Sequence, residues 1–185
     1  IPSGAFVIAC GATGLFNPVK GGHFIPLVLE ELYRRGHRNL HLLLFGNQEK
    51  NVEFPFPGTN AGFITDMKEL AGLYSAADMF LNPTLQDVLS NVALESMACK
   101  TPSVTFRTGG VPEVVLDGRT GLVAPQGDLH QMAGHCERLI RDRDLRLALA
   151  EEGRKHAEQT FSYPVIAAQH AALYEETLRE YRREG

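Results

Sequence analysis

Short apolar runs alternate with longer stretches of helical periodicity along this chain. Four runs have the length and the flanking turn residues of buried strands, at residues 5–10, 40–45, 79–82 and 103–106. We expect two further short strands, one at residues 62–64 and an edge strand within residues 118–124. A polar, proline-containing connection runs from residue 48 to residue 60.

The helical stretches lie between these runs. Helices are predicted at residues 23–35, 67–76 and 92–98, then at 129–141, 142–159 and 163–183. Asp66, Asp128 and Asp142 stand at helix starts, where a carboxylate accepts hydrogen bonds from free backbone N–H groups. Parallel strands need crossover helices, so the alternation predicts an α/β fold, a Rossmann-like doubly wound parallel sheet of about six strands. We expect one domain over residues 1–185, with residues 163–184 as a terminal helix.

Composition narrows the class of protein. The 185 residues are 44% hydrophobic and 22% charged, as in an ordinary soluble globular domain. The net charge is −4 and the basic residues are scattered, so the sequence shows no basic surface for binding nucleic acid. No apolar run approaches the ~20 residues of a membrane span. The three cysteines, Cys10, Cys99 and Cys136, lack metal-ligand spacing, which favours reduced thiols in the cytosol and no metal site. The start at Ile1, close to a core strand, suggests a piece of a longer polypeptide.

The loop after the first strand has the composition of an anion site. Residues 11–22 read GATGLFNPVKGG, with Gly11 at the strand end and Lys20-Gly21 just before the next helix. Glycines allow a close backbone approach, and a helix N-terminus favours negative charge. Lys20 is either a solvated loop residue or the cation of such a site.

A second polar region follows residues 79–82. We expect Ser90 or Asn91 to cap a helix that has apolar residues on nearly all sides and is therefore buried, with Glu95 as its only charge. A desolvated carboxylate needs donors, and these are either ligand hydroxyls or a buried Arg and backbone N–H groups. Asp87, in the preceding loop, is either a solvated turn residue or part of a site. Both acids follow the carboxyl end of a predicted strand, where open α/β sheets bind ligands.

Several further residues bear on this region. The adjacent Gly109 and Gly110 permit a sharp turn and a close backbone approach. Arg107, before them, is either an exposed loop residue or a phosphate cation. Lys100 would be strained if its backbone were left-handed. We assign Tyr74 to the core rather than to a stacking platform.

The region from residue 77 to residue 128 resembles the donor-binding half of the retaining glycosyltransferases of family 4, in the GT-B class. The matching segments are AD at 77–78, PT at 83–84, Asp87, ESMA at 95–98, TP at 101–102, GGVPEVV at 109–115, GRTGLV at 118–123, Pro125 and Asp128. So many matches in order are far more specific than a lone glycine motif.

The resemblance implies roles residue by residue. Glu95 would accept hydrogen bonds from the ribose hydroxyls of a nucleotide sugar, and Asp87 from the hydroxyls of its sugar. Lys20 and Gly21 would contact the diphosphate, with Gly11 at the start of the same loop. Two groups of backbone would complete the donor site, namely the N–H groups of Val88, Leu89, Ser90 and Asn91 and the turn at Gly109 and Gly110. It implies no catalytic residue within this half, no cofactor and no metal.

The implied function is transfer of a hexosyl group, with retention, from a UDP-, GDP- or ADP-sugar to a glycan or lipid-linked acceptor. The partners would be the donor, that acceptor and an N-terminal domain of the same polypeptide, through which a cytoplasmic protein would touch the membrane. The chain departs from the family in two places. Asp87 replaces the usual Glu, and no Arg occurs from Gly11 to Gly22 to assist Lys20.

Two other readings stay open at this point. One is a non-catalytic nucleotide-sugar-binding or scaffold domain, in which the absent Arg and Lys100 mark decay. The other is a GT-B nucleotide-sugar epimerase, which shares the fold and the donor.

Overall fold

The computed structural model describes residues 1–15, 17–46 and 52–184. Its strands are β1 (Phe6–Gly11), β2 (Leu40–Phe45), β3 (Gly58–Asn60), β4 (Met79–Asn82), β5 (Ser103–Phe106) and β6 (Gly121–Ala124). Its α-helices are α1 (Phe24–Arg34), α2 (Met67–Ser75), α3 (Asn91–Ala98), α4 (Val111–Val114), α5 (Leu129–Arg141), α6 (Arg143–Phe161) and α7 (Tyr163–Glu184). A single 3₁₀ turn at Pro18–Lys20 precedes α1.

All six strands are parallel and lie in one sheet, in the order β3-β2-β1-β4-β5-β6. The predicted fold class is therefore confirmed. The strand order reverses between β1 and β4, so the loops that follow these two strands diverge to opposite sides of the sheet. Such a switch point opens a crevice at the carboxyl ends of the strands.

Alternate residues of each strand face opposite layers of helices, as a doubly wound sheet requires. Ile8 and Cys10 of β1 belong to the core that includes the buried faces of α1 and α5. Val7 and Ala9 point the other way, into a smaller core that contains Tyr74 of α2. A third cluster joins α3 and α4 to β6 through residues that include Met97 and Val123. Both faces of the sheet are thus covered, and its carboxyl edge is left for the site.

The edge strand next to β2 differs from the prediction. The expected strand at residues 62–64 is wrong, and Gly58–Asn60 forms the edge instead. The Asn60 side chain accepts a hydrogen bond from the N–H of Gly62, whose φ of +70° is left-handed, so the extended chain ends here. Residues 47–51 lie outside the described residues. They include Asn47 and the first part of the predicted connection at residues 48–60.

Helix α3 is less buried than its composition predicts. Ala93, Ser96 and Met97 are buried, whereas Asn91 is exposed and Glu95 is only half-buried. The predicted caps of other helices are confirmed, because Asp66, Asp128 and Asp142 each accept a hydrogen bond from the first turn of α2, α5 and α6.

The last helix, α7, covers the predicted region and presents several large side chains to solvent. Leu173, Tyr174 and Leu178 are each more than half exposed. Among the described helices, none combines the length and the low charge that a membrane span needs.

Helix α3 ends in a Schellman motif that contains a strained lysine. The N–H of Lys100 donates to Met97 O, and the N–H of Thr101 donates to Ser96 O. Lys100 has a φ of 60°, the one left-handed non-glycine residue among those described. Its Nζ lies 2.6 Å from Glu151 Oε2 in an exposed ion pair.

We predict that Lys100→Gly relieves this strain. Lys100→Ala is the matched control, because it also loses the ion pair but keeps the β carbon. Chemical denaturation should give the glycine variant a free energy of unfolding about 1 kcal/mol higher than the alanine variant. Equal stability of the two variants would contradict the prediction, because both lack the ion pair and differ only in the β carbon at the left-handed position.

Candidate functional site

The predicted site residues come from loops that follow different strands at the carboxyl edge of the sheet. Lys20 follows β1, Asp87 follows β4, and Gly109 and Gly110 follow β5. Since β1 and β4 are neighbours at the switch point, the first two loops flank the crevice. The segment at residues 83–90, between β4 and α3, is called here the β4–α3 loop.

Lys20 and Asp87 form an ion pair across the switch point. Lys20 Nζ donates to Asp87 Oδ2 at 3.2 Å, and the Asp87 side chain is only 15% exposed. The two residues are 67 positions apart in sequence, so only the sheet order brings them together. An ammonium group has three donors, and the described residues use one of them, which leaves two for a ligand.

The backbone of the first loop clamps the β4–α3 loop. The carbonyl oxygen of Val19 accepts hydrogen bonds from Leu85 N (2.9 Å), Gln86 N (3.2 Å) and Thr84 Oγ1 (3.2 Å). Gly21 lies against the carbonyl of Pro83, where any β carbon would collide with backbone. The absence of a side chain at Gly21 therefore lets the two loops pack closely, a role separate from its predicted contact with diphosphate.

The loops after β5 and β6 support the β4–α3 loop from the other side. Thr108 Oγ1 and Gln126 Nε2 both donate to Leu85 O, at 2.7 and 2.9 Å. Gly110 N donates to Asp87 O at 3.1 Å, and β carbons at Gly109 and Gly110 would collide with loop carbonyls. The glycine turn is thus packed against the backbone around Asp87. Nothing in the sequence pattern distinguishes Thr108 or Gln126 from other polar loop residues, and both were missed.

The start of α3 is open. Ser90 is the N-cap residue as predicted, but its hydroxyl makes no capping bond and instead accepts a hydrogen bond from Asn82 Nδ2 at 2.9 Å. That bond closes the base of the β4–α3 loop. Because no described side chain caps the helix, its first N–H groups are available to an anion. Val88 and Leu89, just before it, project outward, and Val88 is 92% exposed.

A cleft of about 300 Å³ lies beside the open end of α3. Apolar side chains, among them Phe45, Phe63 and Ile64, form much of its wall. Glu95 and Asn91 of α3 face the loop residues Ala12 and Thr13. Gly11 lies under the ring of Phe45, where a β carbon would clash, so its lack of a side chain shapes this wall.

Glu95 has a protein donor that sequence reasoning missed. The hydroxyl of Tyr74 donates to Glu95 Oε2 at 2.9 Å. Tyr74 is 1% exposed, so its assignment to the core is confirmed. Its hydroxyl nevertheless contacts a residue that lines the cleft. Burial and the neighbouring Glu95 carboxylate raise the pKa of Tyr74 far above its usual range, so the hydroxyl stays protonated and donates. Residues 21 positions apart on two helices carry no common sequence signal.

Arg107 pairs with Asp117, an acid outside the predicted site. Its side chain is 59% exposed, and its Nη2 is 3.9 Å from Asp117 Oδ2. The structure therefore favours the exposed loop residue over a second phosphate cation.

Comparison with known proteins places this geometry in a family. The family model described as "Glycosyl transferases group 1" matches residues 7–142. The capsular polysaccharide biosynthesis glycosyltransferase CapM of Staphylococcus aureus is 28% identical over 182 residues, which are 95% of this chain and 47% of that protein. The chain spans about half the length of the curated relatives that match most of it.

Two solved structures share the fold. Sucrose-phosphate synthase from Thermosynechococcus elongatus superimposes with a TM-score of 0.80 and 26% identity, covering 97% of this chain and 47% of that one. Anabaena HepE, solved in complex with UDP-glucose, gives a TM-score of 0.77 and 20% identity, covering 94% of this chain and 50% of that one. The chain belongs to the group 1 glycosyl transferases, and it matches the C-terminal half of longer GT-B glycosyltransferases.

Proposed function

We propose that this chain is the donor-binding half of a retaining hexosyltransferase. The donor is a nucleoside diphosphate sugar, and the acceptor is a glycan or a lipid-linked sugar bound mainly by an N-terminal domain. The reaction needs no metal or cofactor in this half.

The observation that carries the proposal is the cleft at the switch point, with an apolar wall, a carboxylate and an open helix N-terminus. The apolar wall at Phe63 and Ile64 suits a nucleobase, and Glu95 suits the ribose hydroxyls. The diphosphate then lies at the start of α3, towards Lys20, because both supply positive charge. The sugar lies against the β4–α3 loop near Asp87.

Catalysis in this half consists of holding the donor and stabilising the departing diphosphate. Lys20 and the first N–H groups of α3 are preorganised donors, since the clamped β4–α3 loop fixes their separation. Asp87 and Glu95 each already accept a hydrogen bond from a protein donor. We therefore assign them to binding and orientation, not to the acid and base of a glycosidase.

The donor class can be tested by calorimetric titration of the 185-residue chain with UDP, GDP and ADP. UDP comes first, because HepE shares the fold and was solved with UDP-glucose. We expect saturable binding of one nucleotide, weakened about tenfold or more by Glu95→Ala through loss of a charged hydrogen-bond acceptor. Lys20→Met should lower the affinity for the nucleoside diphosphate and leave the affinity for the free nucleoside unchanged.

Glu176→Ala, on the exposed surface of α7, is the matched control and should bind like the wild type. If none of the three nucleotides binds, the proposed donor-binding function of this chain fails. Binding that tolerates Glu95→Ala would show that the cleft beside Glu95 does not hold the nucleotide.

We further predict that the isolated chain transfers no sugar, because the acceptor site lies mostly outside it. Product formation from a bound nucleotide sugar would be followed with and without acceptor glycans, using Glu95→Ala as background. Transfer above that background would contradict the prediction. In the longer polypeptide, transfer to an acceptor would exclude the epimerase, and donor binding without transfer would favour the scaffold domain.

A further inference from the structure

The carboxylate of Glu95 is held from one side only. Its Oε2 accepts the hydrogen bond from Tyr74 at 2.9 Å, and no other side chain in the described part of the chain bonds to this carboxylate. Glu95 lines the cleft and is half-buried. One oxygen is therefore engaged by protein, and within the described ranges no side chain donates to the other.

Tyr74 is itself fixed by rigid neighbours. Its ring makes edge contacts with Phe45 of β2 and Phe80 of β4, at centroid distances of 5.1 and 5.4 Å. Its backbone carbonyl accepts a hydrogen bond from Thr101 Oγ1 at 2.7 Å, which ties α2 to the segment after α3. The direction of the hydroxyl is thus set by two strands of the sheet and by the chain that ends α3.

A glutamate side chain has three rotatable bonds, and restricting them on ligand binding costs conformational entropy. A donor that already holds one oxygen reduces this cost and aims the other oxygen. Phenylalanine would pack equally well against Phe45 and Phe80 but would leave Glu95 without its donor. The hydroxyl of Tyr74 therefore contributes a hydrogen bond to Glu95 that core packing alone does not require.

We propose that Tyr74 is a positioning residue that orients Glu95 for a ribose hydroxyl of the donor. This inference rests on the proposed function, since it takes the ligand of the cleft to be a nucleotide. It adds a residue of α2 to the site and assigns the two carboxylate oxygens different partners, Oε2 to the protein and Oε1 to the ligand.

The test compares each nucleoside diphosphate with its 2′,3′-dideoxy counterpart, using UDP, GDP and ADP as probes. The ratio of their two dissociation constants measures recognition of the ribose hydroxyls alone. In Tyr74→Phe we expect this ratio to fall about threefold or more from the wild-type value, with the dideoxy nucleotide bound as before. A merely structural effect would weaken both nucleotides together and leave the ratio unchanged.

Tyr33→Phe on α1 is the matched control, because its ring also makes an edge contact with a phenylalanine, Phe56, but lies outside the cleft. It should keep the wild-type ratio. In a Glu95→Ala background, Tyr74→Phe should cause no further change in the ratio, since the group that it orients is gone. Circular dichroism and thermal unfolding of each variant report whether it is folded.

Two failures are distinguishable. If the wild type binds none of the three nucleotides, the proposed function fails and this inference with it. If the wild type discriminates through Glu95 but Tyr74→Phe keeps the full ratio, the donor site stands and the positioning role of Tyr74 is overturned. A further fall of the ratio in the Glu95→Ala background would also overturn it, because Tyr74 would then act without Glu95.

Discussion

The junction between the loops after β1 and β4 is the constraint on which the site depends. One carbonyl oxygen, that of Val19, takes three hydrogen bonds from the β4–α3 loop, and the Lys20–Asp87 ion pair lies beside it. Because these strands are neighbours at the point where the sheet order reverses, the junction spans the crevice of the fold. The glycine turn at Gly109 and Gly110 packs against the β4–α3 loop of this junction, and α3 begins where that loop ends.

The junction also explains how the chain accommodates its departures from the family. With no Arg from Gly11 to Gly22, Lys20 is the only cation of its loop, and it is already oriented by Asp87. Asp87 is one methylene shorter than Glu and is itself only 15% exposed. A carboxylate near an anionic ligand opposes binding, so the pairing with Lys20 matters for both residues. The open N-terminus of α3 supplies a second source of positive potential.

Helix α3 connects the two halves of the proposed chemistry. In the proposed function its first turn binds the diphosphate, and Glu95, one turn further along, binds the ribose. Its C-terminal end is anchored by the Schellman motif, at the cost of a left-handed Lys100. Its buried side, at Ala93, Ser96 and Met97, fixes the helix on the sheet. The other side of α3, with Asn91 and Glu95, lines the cleft.

Local patterns in the sequence were enough for the α/β class, the main strands, the three Asp caps and the loops at the carboxyl edge of the sheet. These features depend on periodicity, turn chemistry and hydrogen bonds between near neighbours, which the sequence states directly. The sequence patterns gave wrong predictions for the edge strand at residues 58–60 and for the burial of α3. Both depend on which elements pack beside them. Glu95 lies 21 positions from its partner Tyr74, and Asp87 lies 67 positions from Lys20. Leu85 lies 41 positions from Gln126. No local pattern encodes contacts at such separations. Tertiary structure alone decided those contacts, because they arise where the sheet order brings distant loops to one edge.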